Sequence, residues 1–346
     1  MYEHTVPGQD MKGRYPGART LANRLRMMLG RDGTTGRHVE IIDRSPEPSS
    51  STFPSEIVTC RIGELGAVRL LCKYSRPERC QLPAWHVAHG HRHGTRYETW
   101  VYRHVLEPVR MTTARLWGTY EGKSGRAWLV LEYLDGSMRI HLAPPGPESG
   151  AAWIGRFHAR NETRLSEPAL EFLNRYTADY YRGWARRTLM YARRFRRDYR
   201  RIESVCESFE QAIDVLLEAP QTVIHGEYYP SNVLWRPDGV YPVDWESAAI
   251  GAGEIDLACL TEHWPLEVVE RCIEAYIRAR WPTGCDLRAF TRRFSAAQLY
   301  TLVRWAGTRR AWNTPRSRNY HLNRLGEEWD RINARDPRRS MPHMVS

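Results

Sequence analysis

The chain lacks the features that define several large protein classes. It contains no apolar run near the roughly 20 residues that a membrane-spanning helix needs, and residues 1–17 have no apolar core of a signal peptide. Its seven cysteines are odd in number, scattered, and include no Cys-x-x-Cys pair. Such a set indicates reduced thiols and not a disulfide framework. We therefore expect a cytoplasmic protein with no membrane partner.

Lysine is scarce as well, so the net charge of +11 is carried mainly by arginine. A basic balance is compatible with nucleic acid, an anionic surface or an anionic substrate as the partner. It argues against a strongly cationic substrate, although an acidic pocket would overrule that argument. The 346 residues, of which 42% are hydrophobic, are enough to bury one large core or two moderate ones.

The stretch 223–235 places Glu227 and Asn232 in a polar turn between two short apolar segments. A tight turn and a second apolar strand follow, and that strand ends at Asp244. This order predicts a β-hairpin with carboxylate and amide groups at both ends. A carboxylate five residues before an Asn, then an Asp after a short hairpin, is the arrangement that phosphoryl transfer uses. A plain hairpin with solvated acidic residues is the alternative.

These residues resemble a known family, the aminoglycoside phosphotransferase-like small-molecule kinases. The resemblance lies in three segments, in order and at similar spacing: His225-Gly226-Glu227-x-x-Pro230-x-Asn232-Val233-Leu234, Val243-Asp244-Trp245-Glu246 and Asp256-Leu257-Ala258. It implies an α+β, two-lobed protein-kinase-like fold with a small antiparallel β lobe and a larger, mainly helical lobe. It also implies ATP or another nucleoside triphosphate, Mg²⁺, and a small hydroxylated molecule as the acceptor. One position departs from the pattern, because Glu227 stands where the family usually has Asp.

The resemblance also implies roles for single residues. Glu227 would accept or orient the proton of the acceptor hydroxyl, while Asn232 and Asp244 would hold Mg²⁺ on the nucleotide phosphates. Asp256 would brace the catalytic loop from below. His158, at the end of a predicted helix, is expected to be a packed structural residue and not a catalytic one.

Lys73 lies in an otherwise apolar strand, where a buried ammonium group needs an anionic partner. The resemblance makes it the lysine that binds the nucleotide phosphates, with a Glu of the following helix as its usual partner. The helical pattern over 97–106 offers Glu98. The alternative is a surface lysine that extends into solvent and an exposed Glu near a helix N-terminus.

Two further segments are expected to contact the nucleotide. The loop 45–52, which includes Ser50 and Ser51, would cover the phosphates, because small polar residues offer N–H and hydroxyl groups to anionic oxygens. An ordinary exposed loop is the alternative. A later strand runs into a turn at Glu132 and Leu134, where the resemblance places the hinge that binds adenine.

Four histidines lie within eight residues, at His86, His89, His91 and His93. Such density suggests a metal site, but no cysteine stands at ligand spacing. The neighbouring glycines favour a mobile loop beside the nucleotide or substrate cleft.

The predicted organisation has four parts. They are an extension with a short helix at 18–29 (1–34), a small nucleotide-binding lobe (35–136), a helical catalytic and substrate lobe (137–335), and a disordered tail (336–346). The helical patterns in the large lobe cover 168–201 as one or two long helices, then 204–218, 265–280, 287–306 and 318–334.

Arginines at i, i+4 spacing, such as Arg182 and Arg186, repel one another slightly and need solvent or an anionic partner. We interpret them as a solvated basic face and expect no nucleic-acid partner. A basic module for nucleic acid is one alternative, and a non-catalytic nucleotide- or ligand-binding member of the kinase-like fold, with Glu227 as the sign of lost activity, is another. Nothing in the sequence identifies the acceptor or the oligomeric state.

Overall fold

The structure is a computed structural model. It describes residues 15–29, 38–48, 53–63, 66–75, 88–122 and 126–334. Three predicted residues, Ser50, Ser51 and His86, lie outside the described residues.

Five antiparallel strands form the first sheet, in the order β1-β2-β3-β5-β4. They are β1 (Val39–Pro46), β2 (Ser55–Ile62), β3 (Ala67–Tyr74), β4 (Leu116–Glu121) and β5 (Ala127–Glu132). Along β3, Leu70, Cys72 and Tyr74 are buried while the residues between them are less so. This alternation is the two-residue period of a strand, and it gives the sheet one buried face.

Helix α1 (Ala18–Leu29) covers that face, as its sequence pattern predicts. Its Leu21 and Leu25 are fully buried in the same hydrophobic cluster as Leu70. A Cβ added at Gly118 of β4 would lie 2.6 Å from the Cβ of Met28, so glycine allows the helix to approach the strand closely.

A continuous helical segment lies between β3 and β4 in the chain and delivers Glu98 to the cleft. It consists of α2 (Thr95–Val101), a π-helical turn (Tyr102–Leu106) and α3 (Glu107–Val109). Val101 and Val105 are fully buried on the side that belongs to the large core. The four-residue spacing of these two valines is the amphipathic period expected of a helix packed on one face.

The remaining elements form a mainly helical lobe. Its helices are α4 (Gly146–Glu162), α5 (Ala178–Ala192), α6 (Arg196–Glu218), α7 (Glu254–Thr261), α8 (Leu266–Arg280), α9 (Leu287–Ala306) and α10 (Pro315–Ala334). Its strands are β6 (Met138–Arg139), β7 (Asn174–Arg175), β8 (Gln221–Ile224), β9 (Val233–Arg236), β10 (Gly239–Pro242) and β11 (Ala249–Ala252). Strands β9 and β10 pair antiparallel, so the predicted hairpin after 223–232 is confirmed. The described residues contain no helix that is both long and apolar enough to cross a membrane.

The helix predictions over 168–218 need correction. Residues Pro168–Leu170 form a 3₁₀ turn and β7 pairs with β11, so the first long helix begins only at Ala178. Its N-terminus is fixed by Thr177, whose side chain accepts a hydrogen bond from the Tyr180 N–H. The next helix begins at 196 and not at 204, because no helix-breaking residue separates its polar first turns from its amphipathic part.

Candidate active site

A cleft of about 630 Å³ lies between the five-stranded sheet and the β9–β10 hairpin. Leu71, Leu131 and Leu234 contribute apolar surface to it, as expected for a site that binds a flat base. Six of the predicted site residues line it: Lys73, Glu98, Glu132, Leu134, Asn232 and Asp244. Glu227 is not among the lining residues.

Lys73 connects the small sheet to the turn after the hairpin. Its Nζ donates to Glu98 Oε2 at 2.6 Å and to Asp244 Oδ1 at 2.8 Å, so the predicted Lys73–Glu98 ion pair is present. The second oxygen of Glu98 accepts the N–H of Trp245 at 3.2 Å. Burial opposes the charge on Lys73, but Asp244 and Glu98 outweigh burial and raise the lysine pKa well above its ordinary value. The lysine therefore stays charged and joins three elements at the floor of the cleft.

Asp244 and Asn232 supply oxygen atoms on one side of the cleft. Asp244 has a left-handed backbone (φ +69°), and its side chain is 42% exposed. Burial opposes its ionisation, but the charge of Lys73 prevails and keeps the Asp244 pKa below its ordinary value. The Asn232 side chain donates to the backbone carbonyl of Glu227 at 3.1 Å, which fixes its amide.

The character of these donors fits Mg²⁺. This ion takes hard oxygen ligands and is usually held by one or two protein side chains together with phosphates and water. In the described part of the chain, no group of three or more His, Cys, Asp or Glu residues is arranged to hold a metal ion. A metal held at Asn232 and Asp244 would therefore depend on the nucleotide for its remaining ligands.

The loop before the hairpin is held from below by Asp256. One of its oxygens accepts the N–H of His225 at 2.6 Å and the other accepts the N–H of Gly226 at 2.9 Å. His158, fully buried, contacts the same carboxylate at 3.1 Å, which agrees with the structural role predicted for it. Gly226 has φ +81°, and a Cβ there would overlap the carbonyl oxygen of Ser247. The loop path consequently requires glycine at this position.

Glu227 is almost completely enclosed, with 3% of its surface exposed. Arg92 binds it through two parallel hydrogen bonds, Nε to Oε2 at 2.8 Å and Nη2 to Oε1 at 2.6 Å. Arg304 Nη1 donates to Oε1 at 3.2 Å, and His91 Nε2 lies 3.4 Å from the same oxygen. Burial alone would raise the Glu227 pKa, but Arg92, His91 and Arg304 together hold it well below its ordinary value. Glu227 is therefore a buried carboxylate that is ionised at neutral pH.

His91 takes part as a neutral ring. Burial and the neighbouring Arg304 charge lower its pKa to about 4. Its Nε2 lies 3.1 Å from Arg304 Nη1, and its Nδ1 lies 2.7 Å from the Tyr180 hydroxyl. The histidine thereby joins the charged groups around Glu227 to the tyrosines of the helical lobe.

The other described histidines of this segment have separate partners. His89 Nε2 lies 2.7 Å from the Tyr180 carbonyl oxygen, and the ring lies where a Cβ at Gly183 would be. His93 stacks on Tyr97 with ring centroids 4.1 Å apart. These rings point to different places, which argues against a shared metal centre, and they anchor the segment 88–94 to the helical lobe. The sequence predicts a mobile loop here, whereas the structure gives residues 88–94 specific contacts with the helical lobe.

Sequence reasoning did not identify Arg92 or Arg304. Arg92 lies inside the segment that was singled out for its histidines, and Arg304 lies near the end of α9 without any motif around it. Burial is the signal that reveals Arg304, because only 2% of its surface is exposed. An arginine that is buried to this degree must have anionic or other polar partners.

A five-stranded antiparallel sheet over a helical lobe, with a lysine–glutamate pair and an Asn/Asp set in the cleft between, defines a kinase-like phosphotransferase. Residues 96–294, more than half of the chain, match the model of the phosphotransferase enzyme family (APH). The chain belongs to this family. The predicted fold class and the predicted enzyme class, a phosphotransferase, are thereby confirmed. A comparison with curated proteins finds no match.

Several solved structures share the fold at low sequence identity. A choline kinase from Cryptosporidium parvum is 12% identical, with a TM-score of 0.60 over 91% of this chain and 96% of that one. A spectinomycin phosphotransferase in complex with ADP and spectinomycin is 11% identical, with a TM-score of 0.57 over 90% and 94%. An aminoglycoside 2'-phosphotransferase in complex with GDP is 13% identical, with a TM-score of 0.57 over 90% and 99%. At these identities the likeness concerns the fold.

Proposed function

We propose that the protein transfers the γ-phosphoryl group of a nucleoside triphosphate, ATP in the first place, to a hydroxyl group of a small molecule. One observation carries the proposal: Lys73 contacts both Glu98 and Asp244 across the floor of the cleft. A charged lysine between two carboxylates is prepared to exchange one of them for nucleotide phosphates.

Each side chain of the cleft then has a role in binding. Lys73 contacts the phosphates, and Glu98 keeps its ammonium group in position. The turn at Glu132 and Leu134 receives the adenine, and the loop with Ser50 and Ser51 covers the phosphates. Asn232 and Asp244 hold Mg²⁺, which when bound neutralises charge on the transferring phosphates.

Glu227 acts on the acceptor. The bond between the γ-phosphorus and the bridging oxygen breaks, and its electron pair stays on the nucleotide. A lone pair of the acceptor hydroxyl forms the new P–O bond, and the hydroxyl proton passes to the Glu227 carboxylate and then to water. A carboxylate with a low pKa suffices, because in a loose transition state the hydroxyl becomes strongly acidic only as the new bond forms. Orientation of the acceptor therefore matters more than base strength.

The nucleotides bound in the related structures support this assignment. They are ADP in one case and GDP in another, which supports the use of a nucleotide by this protein. Those proteins are kinases or phosphotransferases of choline, spectinomycin and aminoglycosides, which are all small hydroxylated molecules. The guanidinium groups of Arg92 and Arg304 beside Glu227 favour an acceptor that is not strongly cationic. The six free cysteines of the described residues agree with a cytoplasmic location.

The test is nucleotide turnover with Mg²⁺ and a panel of hydroxylated metabolites and antibiotics, for the parent and for Asp244→Ala. We expect acceptor-dependent formation of nucleoside diphosphate with the parent and none above background with the variant. A circular-dichroism spectrum like that of the parent would show that the variant is folded. Full turnover by Asp244→Ala would refute the mechanism.

A non-catalytic ligand-binding member of the fold is the second candidate. One observation favours it: both oxygens of Glu227 are engaged by Arg92. This candidate predicts nucleotide binding by calorimetry without turnover of any acceptor in the panel. Turnover of a single acceptor by the parent, lost in Asp244→Ala, would exclude it.

A further inference from the structure

The cations beside Glu227 suggest a catalytic role that rests on the proposed function. In-line transfer places the γ-phosphoryl group between the leaving oxygen, held near Lys73 and Asp244, and the acceptor oxygen, held near Glu227. The transferring group carries its negative charge on three equatorial oxygens. A carboxylate at the acceptor end would repel these oxygens unless a cation shields it.

Two contacts place Arg92 between Glu227 and the turn that follows Asp244. Its guanidinium is aligned by the two hydrogen bonds to Glu227. The backbone N–H of the next residue, His93, donates to the carbonyl oxygen of Glu246 at 3.0 Å, two residues after Asp244. Arg92 is thus attached on one side to the catalytic loop and on the other to the turn that carries the metal-binding aspartate.

Exposure distinguishes Arg92 from its neighbours. Its side chain is 24% exposed, whereas those of Glu227 and Arg304 are 4% and 2% exposed. Arg304 is also held by the Tyr229 hydroxyl and by His91. Of these three charged groups, the Arg92 side chain is the most accessible to a substrate.

We propose that Arg92 is a catalytic residue that contacts the transferring phosphoryl group, and that Glu227 holds its guanidinium in place in addition to orienting the acceptor. The guanidinium keeps its protons throughout and stabilises the charge on the equatorial oxygens. Because two hydrogen bonds to Glu227 align the guanidinium, this stabilisation requires little reorganisation during the reaction.

The experiment uses a stable mimic of the transferring group, so it needs no acceptor. Calorimetry would compare the affinity for Mg²⁺·ADP with the affinity for Mg²⁺·ADP plus aluminium fluoride, in the parent and in Arg92→Gln. We expect aluminium fluoride to tighten ADP binding to the parent by at least about tenfold, and we expect Arg92→Gln to lose this gain while its affinity for ADP alone is unchanged. Arg92→Lys, which keeps the charge without the fork of donors, should recover part of the gain. Arg182→Gln, an exposed arginine of α5, is the matched control.

Three results would overturn the proposal. They are an equal tightening by aluminium fluoride in the parent and in Arg92→Gln, no tightening in the parent, or a loss of affinity for ADP alone in Arg92→Gln as large as its loss of affinity for ADP with aluminium fluoride. Failure of the parent to bind Mg²⁺·ADP at all would instead contradict the proposed function. If Arg92→Gln does not fold, the double variant Arg92→Gln/Glu227→Gln replaces it, because it removes both members of this ion pair and leaves only Arg304 without a carboxylate. Aluminium fluoride should tighten ADP binding less in the double variant than in Glu227→Gln, which keeps the Arg92 guanidinium. Equal tightening in these two variants would likewise reject the role of Arg92.

Discussion

The proposed active site has a nucleotide end at Lys73 and Asp244 and an acceptor end at Glu227, and the two ends are built differently. At the nucleotide end, Lys73 and Asp244 face an open cleft, and the Asp244 side chain is 42% exposed. At the acceptor end, Glu227 is enclosed by Arg92, Arg304 and His91 and is 3% exposed. The nucleotide end follows the motif of its family, whereas the acceptor end carries Glu227 within a buried ion-pair network. The family motif therefore says little about how this protein recognises its acceptor.

The largest effect is expected at the nucleotide end. Lys73→Ala removes the cation between Glu98 and Asp244, so phosphate binding and the alignment of the cleft are both lost. We expect kcat/KM to fall by at least about 10²-fold, the scale of losing one oriented charge at a transition state. Steady-state kinetics with the true acceptor, or nucleotide hydrolysis in its absence, would measure the loss.

Arg69→Gln is the control for this prediction. Arg69 lies on the same strand, but it pairs with Asp135 at the surface and is 41% exposed. It should retain parental kinetics. Equal losses in the two variants would mean that general damage to β3, and not phosphate binding, explains the effect.

A large effect on both activity and stability is expected at the acceptor end. Glu227→Gln leaves the buried guanidinium of Arg304 and that of Arg92 without their carboxylate, which costs about 3–5 kcal/mol in comparable buried pairs. It should also lose most of kcat, because charge is removed at nearly constant shape. Glu227→Asp keeps the charge but is one methylene shorter, so it should lose less stability and less of kcat than Glu227→Gln. Urea unfolding and kcat would be measured for each variant, and parental activity in Glu227→Gln would show that Glu227 does not act on the acceptor.

The same contrast explains what the sequence can predict. The hairpin, β3 and α2 follow local periods of two and 3.6 residues, and the family resemblance implies the Lys73–Glu98 pair between that strand and that helix. Arg92 and Glu227 are separated by 135 positions, and Arg304 and Glu227 by 77. No local pattern relates residues so far apart, and their contact depends on how a strand-to-helix connection packs against α9. The start of α6 was missed for a related reason, since its first turns are polar and their helical state depends on the amphipathic part that follows.

A moderate, pH-dependent effect is expected from His91. Its pKa of about 4 in the folded protein lies below the ~6.5 of an unfolded chain, so the unfolded state binds more protons between these values. The free energy of unfolding should therefore fall as the pH decreases from ~6.5 towards 4, by ~1.4 kcal/mol per pH unit, or ~2 kcal/mol at pH 5. Arg304 and Arg92 face the ring and oppose its protonation, while Glu227 favours it but stays ionised throughout.

His91→Gln removes this titration. Its stability should depend less steeply on pH in that window, even though its stability at pH 7 is lower. Urea unfolding of both proteins at pH 5 and pH 7 measures the difference. Identical slopes would show that His91 is already protonated in the folded state or is not enclosed by the arginines.

The smallest effect is expected from the exposed arginines of the helical lobe, which offer a direct comparison with the acceptor end. Arg182 Nε contacts both oxygens of Glu210 at 3.2 and 2.9 Å, with side chains 43% and 49% exposed. Arg92 and Glu227 form a similar contact, yet they are 24% and 4% exposed.

Water weakens the attraction between Arg182 and Glu210, and either side chain alone is readily solvated. The coupling energy of this first pair should therefore be below ~1 kcal/mol. The second pair should show several times that value, because a single substitution leaves a buried charge unpaired. Double-mutant cycles by urea unfolding, Arg182→Gln with Glu210→Gln against Arg92→Gln with Glu227→Gln, measure both couplings. Coupling energies of equal size would mean that Glu227 is solvated in solution, and the acceptor end would then be as open as the nucleotide end.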